Sequence, residues 1–193
     1  HPLYQLESLG PLPPAVGVYV VSPRIGVAGL EKAGGFYAVV LVDALITSEA
    51  GICIAVMSAD CVTILLYDKR NRAIGAVHSG WRGTVARILE KTLQEMKSRF
   101  GSRGADIIAG IGPSVCQDSY EVGEEVVHSV NAAFGTGSGL LIPQAGNKAR
   151  LDLWKANKIQ LLEFGVDESA IEISNLCTVK NNDLFFSARK GDA

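Results

Sequence analysis

The stretch "ADCVTILLYDKRNRAIGAVHSGWRGT", residues 59–84, decides how this chain folds. It holds two apolar runs, Val62–Tyr67 and Ala73–Val77, separated by the charged "DKRNR". The second reads as a strand leaving a turn, and the first as either a strand or a turn of helix. Each run carries chemistry at its end. Cys61, beside Asp60, opens the first, and His78 closes the second. A glycine-flanked Trp81-Arg82 pair follows at once. Beyond it, Val85, Ile88, Leu89, Leu93, Met96 and Phe100 recur at three- and four-residue spacing, which predicts a helix from near Thr84 to a stop at Gly101.

Outward from this stretch, strands and helices alternate. "GVYVVS" (17–22) reads as a strand, and "VDALIT" (42–47) and "GICIAVMSADC" (51–61) as strands buried on both faces. "ADIIAGIGP" (105–113) reads as another buried strand. Val122, Val126, Val130 and Phe134 mark a helix ending at Gly135, and "GTGSG" (135–139) a loop. "DLWKANKIQLLEFG" gives a third helix closed by Gly165, and "AIEISNLCT" and "DLFFSAR" the last strands. With no internal repeat and no long linker, the expectation is one layered α/β or α+β domain across 1–193.

Composition narrows the class. Hydrophobic residues at 48% and charged ones at 20% are those of a globular chain. Eighteen basic against twenty acidic side chains leave a net charge of -2, so no global field draws nucleic acid or an anionic membrane. No apolar run reaches the ~18 residues of a membrane span, and the first residues lack the basic start and apolar core of a secretory leader. Four cysteines without CxxC spacing argue against a disulfide framework and set the cytoplasm as the expected compartment.

Gly80 and Gly83 permit a tight turn between the strand ending at His78 and the helix, which Thr84 is placed to cap. A helix start beside such a turn suits an anion, and Arg82 adds a planar fork for phosphate or carboxylate. The turn serves equally as a plain strand-to-helix connection. Cys61 and His78 fit a site for zinc or copper, which needs a third ligand, or a thiol activated by an imidazole. A buried free cysteine and a hydrogen-bonded histidine are the commoner fate of these residue types. Asp60 is unusual at a strand end and tilts the position towards a site. His128 reads as a solvated helix face, Cys177 as core, Cys116 as a loop thiol, and Glu121, Glu124 and Glu125 as an acidic helix start.

"SADCVTILLYD", "AIGAVHSGWRGT", "AGIGPSVCQDSYEVGEEV" and the closing "NLCT…DLFFSARK" together resemble the YfiH/laccase-domain family, in order from about residue 42 to 190. The resemblance implies a YfiH-like fold of mixed sheets flanked by helices. It implies a zinc-dependent purine nucleoside phosphorylase acting on adenosine, inosine, guanosine and methylthioadenosine, with adenosine deaminase activity. A role in peptidoglycan editing, which a Cys-His hydrolase would perform, and an older label of copper polyphenol oxidase are the alternatives. Only three histidines in the chain count against a multicopper centre. On the resemblance, Cys61 and His78 are metal ligands and Arg82 is catalytic. Ser79, Gly80, Trp81, Gly83 and Thr84, with Arg24, contact phosphate or nucleoside, and Trp81 stacks on the base. The family's third ligand is a histidine upstream of "DALIT", whereas residues 25–42 contain none. The family's Thr-Arg-x-Gly-Gly element is represented only by "SPRIGVA". The expectation is a domain that lacks loop segments upstream, with Arg24 as a remnant.

Overall fold

The computed structural model describes residues 18–22, 26–30, 36–38 and 43–192. Its strands and helices run β1 (Val18–Ser22), β2 (Gly26–Leu30), β3 (Phe36–Ala38), β4 (Ala44–Thr47), β5 (Cys53–Ala55), β6 (Val62–Asp68), β7 (Ala73–Ser79), α1 (Trp81–Val85), α2 (Ile88–Phe100), β8 (Ile107–Ile111), β9 (Glu121–Val122), α3 (Glu124–Phe134), β10 (Leu141–Pro143), β11 (Ala149–Leu151), α4 (Leu153–Phe164) and β12 (Ile171–Ile173). Seven strands form one sheet in the order β12-β8-β6-β7-β4-β1-β2. β12 lies parallel to β8 and the other neighbours are antiparallel, so the sheet is mixed. β10-β11-β9 and β3-β5 make two small sheets.

The opening stretch is the hairpin at the sheet's centre. Its first apolar run is strand, not helix, because Asp68 organises the turn. The Asp68 carboxylate accepts the backbone N–H groups of Arg70 and Asn71 at 2.9 and 3.0 Å and the Asn71 side-chain amide at 2.7 Å. Burial alone would push this carboxyl up, but the Ser102 hydroxyl, together with the hydrogen bonds from Asn71 and Arg70, outweighs it and holds its pKa below the ordinary value.

Alternation along the strands gives the sheet two unlike faces. Val62, Ile64 and Leu66 of β6, Val77 of β7, Ile107, Ala109 and Ile111 of β8 and Ala44 and Ile46 of β4 are buried in one cluster with Ile88, Leu89, Leu93 and Met96 of α2 and with α4. The opposite face is partly open: Leu65 is 63% exposed and Ile108 44%. β6 and β8 are therefore buried on one face only, where 105–113 read as a buried strand; β4 is buried throughout, as expected, whereas β5, in the run expected to be buried on both faces, is exposed to half-buried.

Four other expectations change. The run 51–61 forms strand only at β5, where it pairs with three residues of β3. "DLFFSAR" is a series of turns, with Leu184 and Phe186 at 70% and 75% exposure. β10 and β11 have no counterpart in the sequence pattern. The helix expected from Thr84 is two helices: Ala86 ends α1, and Arg87 takes a left-handed conformation (φ 60°) before α2. The Arg87 guanidinium is tied to Glu90 at 2.8 Å and to Glu163 of α4, and lies over the Phe134 ring of α3 at 5.0 Å. The break lets α1 turn onto α3 and α4 while α2 stays on the sheet. The stops hold, since Gly101 and Gly165 end their helices at φ 73° and 94°.

Candidate functional site

Register carries Cys61 to His78. In the β6–β7 ladder Thr63 faces His78 and Val62 faces Ser79, so Cys61 stands one step further along, opposite Gly80. By alternation Cys61, Thr63 and His78 share the open face, and Cys61 lies diagonal to His78. Gly80 is required here by close approach: a Cβ on it would lie 2.8 Å from the Cys61 Sγ. Burial raises the Cys61 thiol pKa, and the Asp60 carboxylate beside it adds to the effect. Burial lowers the His78 pKa, partly offset by Asp43. Both groups are thus neutral near pH 7, which is not the thiolate–imidazolium pair of an activated cysteine nucleophile.

Asp60 is not a ligand but an anchor. It is buried, with a left-handed backbone (φ 78°), and its Oδ1 accepts the Thr178 hydroxyl at 2.6 Å. Its Oδ2 accepts the Ser187 hydroxyl at 3.0 Å and the Arg189 N–H at 2.9 Å. This draws the C-terminal segment against the hairpin. There Arg189 lays its guanidinium over the Tyr120 ring at 4.7 Å and donates to the Glu121 carbonyl at 3.0 Å. Burial pushes the Tyr120 hydroxyl up to about 12, with a further push from Cys61 once that thiol ionises at high pH, while Arg189 and Arg82 act in the opposite direction. Tyr120 thus keeps its proton near neutral pH with the Arg189 guanidinium on its ring. Tyr120 and Arg189 were missed as site residues; "SYEVG" and "FSAR" were quoted for the resemblance, but nothing in their spacing assigned them a role.

The Arg82 guanidinium is exposed and stacks on the Trp81 ring at 4.3 Å, so one face of the indole is already taken. Thr84 does not cap a helix. Gly80 precedes α1 without a side-chain cap, and Thr84 lies buried inside it. Its hydroxyl is 2.9 Å from that of Ser79, which donates to the Asn157 carbonyl oxygen at 2.9 Å, and the Asn157 amide reaches Thr84 at 3.3 Å. The Ser79 and Thr84 side chains therefore join β7 and α1 to α4 rather than face a ligand. α1 has five residues and a correspondingly small dipole, so of the groups in this turn the exposed Arg82 guanidinium is the one suited by type to an anion. Arg24 lies outside the described residues. His128 is exposed on α3 and Cys177 is buried, as expected.

A thiol and an imidazole are ligands that zinc or copper takes. Among the described residues no group of three His, Cys, Asp or Glu side chains stands close enough together to hold a metal. Cys61 and His78 suit such an ion by type but do not complete its coordination.

Fold and site together define a mixed α/β protein whose central hairpin presents a thiol, an imidazole and arginine at one end. The chain belongs to the multi-copper polyphenol oxidoreductase laccase family, whose model matches residues 20–193. A purine nucleoside phosphorylase of Bacteroides thetaiotaomicron is 46% identical over 150 residues, which cover 77% of this chain and 56% of that protein. Adenosine deaminase RL5, from an unknown prokaryotic organism, is 42% identical over 150 residues, 77% of this chain and 57% of its own. The crystal structure of YlmD from Geobacillus stearothermophilus matches with a TM-score of 0.74 at 35% identity, covering 78% of this chain and 57% of that one. The chain spans a little over half the length of these relatives.

Proposed function

We propose that the protein is a purine nucleoside phosphorylase acting on adenosine, inosine, guanosine and methylthioadenosine, with adenosine deamination as a second activity and zinc as its metal. The observation that carries this is the Arg189 guanidinium laid over the Tyr120 ring at 4.7 Å, with Arg82 in the turn just beyond the strand end that carries His78. Phosphorolysis brings a phosphate oxygen to the anomeric carbon as the bond to the purine breaks. Two guanidiniums hold that nucleophile by paired hydrogen bonds and offset the charge it carries. Tyr120 keeps its proton at neutral pH and donates a hydrogen bond to phosphate or ribose. Cys61 and His78 would hold the zinc, with further ligands from outside the described residues. When bound, the metal supplies a water acidified enough to attack the purine ring. Purine nucleosides and phosphate are the partners in this proposal, and the cytoplasm is its setting. Among the described residues no helix is long and apolar enough to cross a membrane.

The neutral state of both Cys61 and His78 weighs against a metal-free Cys-His hydrolase. The three histidines of the chain weigh against a multicopper oxidase. The test is incubation with adenosine and phosphate, with and without a chelator, followed by product analysis. Ribose 1-phosphate formed only with phosphate and metal supports the proposal, and absence of turnover with zinc and phosphate supplied sinks it. Arg82→Ala should raise the KM for phosphate by roughly tenfold or more, the loss of a charge-assisted hydrogen bond of about 1.5–3 kcal/mol. An unchanged phosphate KM would remove Arg82 from the site.

A further inference from the structure

Two thiols outside the metal-type site lie against each other. Cys116 follows "GPSV" in the loop after β8, and Cys177 follows β12. They are 61 residues apart in sequence, yet the Cys116 N–H donates to the Cys177 Sγ at 3.3 Å. Both thiols reach the Ser119 hydroxyl, Cys116 at 3.6 Å and Cys177 at 3.7 Å. The surrounding backbone is fixed. Ser114 and Cys177 form a parallel bridge, with Ser114 N–H to the Leu176 carbonyl and Thr178 N–H to the Ser114 carbonyl, each at 3.2 Å. Neither sulfur is in a disulfide, and their exposures differ: Cys116 is half-buried and Cys177 buried.

We propose that Cys116 and Cys177 are a redox pair that closes to an intramolecular disulfide on meeting a small-molecule disulfide such as oxidised glutathione. Cys116, the thiol that solvent reaches, gives up its proton and attacks one sulfur of the oxidant, releasing one glutathione thiolate. Cys177 then loses its proton and attacks the Cys116 sulfur of the mixed disulfide, expelling the second glutathione. Two protein thiols lose two electrons and two protons, and one oxidised glutathione becomes two reduced ones. The second step suits the site. Burial by itself would keep the Cys177 proton on, but hydrogen bonding lowers its pKa, and the N–H groups of Cys116 and Lys180 and the Ser119 hydroxyl remain as partners once the first step has consumed the Cys116 thiol. The bond would fasten the loop leading to Tyr120 to the segment that ends in Arg189. It is independent of the catalytic proposal, since its readout is the state of two sulfurs.

The experiment treats the reduced, folded chain with oxidised glutathione, alkylates the remaining thiols and maps the peptides by mass spectrometry. A Cys116–Cys177 linkage, exceeding mixed disulfides at Cys116 by roughly tenfold, is expected. With Cys177→Ser the reaction should stop at glutathione on Cys116, and with Cys116→Ser no linkage should form. Closing so long a loop should also raise Tm by roughly 5–10 °C, reversed by dithiothreitol. Mixed disulfides without the linkage, or both thiols still alkylatable, would each overturn the proposal.

Discussion

Asp60→Ala tests whether one carboxylate holds the C-terminal wall of the site. Asp60 accepts hydrogen bonds from the Thr178 hydroxyl at 2.6 Å, the Arg189 N–H at 2.9 Å and the Ser187 hydroxyl at 3.0 Å. Each bond to a charged acceptor contributes about 1.5 kcal/mol at the lower end of its range, so three contribute about 4.5 kcal/mol. Alanine at a φ of 78° adds roughly 1 kcal/mol of backbone strain that aspartate bears more easily. The loss falls on the segment around residues 178–192, which should detach locally before the sheet unfolds. Exchange of the Arg189 amide should accelerate by roughly four orders of magnitude, at about 1.4 kcal/mol per decade. The global Tm should fall by less than the full 5–6 kcal/mol would imply. Asp60→Asn tolerates the left-handed backbone and keeps an acceptor oxygen, so it should cost about 2 kcal/mol and a correspondingly smaller change in exchange. Hydrogen exchange read by NMR or mass spectrometry decides. If Asp60→Ala leaves the Arg189 amide within threefold of wild type, the carboxylate is not the anchor.

Gly80→Ala places a Cβ 2.8 Å from the Cys61 sulfur on a backbone (φ −68°) that alanine accepts. The thiol must turn away, so the Cys61 alkylation rate should change severalfold at a stability cost of about 1–3 kcal/mol; an unaltered rate refutes the contact. Asn157→Ala leaves the buried Ser79 and Thr84 hydroxyls short of a partner and should cost about 3 kcal/mol, a fall in Tm of roughly 6–12 °C by calorimetry. The lowered pKa of Asp68 means that the unfolded chain binds its proton more readily than the folded one. Its stabilising contribution is complete above the unfolded carboxyl pKa near 4 and is lost as pH falls through the folded value. Urea midpoints from pH 6 to 3 should therefore fall less steeply for Asp68→Asn than for wild type, and equal slopes would exclude Asp68 as a source of acid sensitivity.

Local pattern carried far where the chain answers to its own neighbours. The turn and strand at 70–78, the apolar face of α2 and the glycine stops at 101 and 165 were legible because turn chemistry and side-chain period act within a few residues, whereas the run at β6 stayed open between strand and helix. Where tertiary partners choose, the pattern misled. Nothing in "TVARI" marks a helix break, and Arg87 adopts its left-handed conformation within contacts to Glu163 and Phe134 on other helices. "DLFFSAR" reads as a strand because a short apolar run is silent about what it pairs with. Its segment is held instead by polar bonds from Ser187 and Arg189 to Asp60.

The candidate site divides in the same way. Two strands around a tight turn have one register, so Cys61 and His78 reach the same face by sequence order alone. The arginine over Tyr120 is different in kind. Arg189 is 129 residues from the aspartate that holds its backbone, and no periodicity spans such a distance. Only folding decides that contact, because burying Asp60 among three donors is what brings that segment to the site.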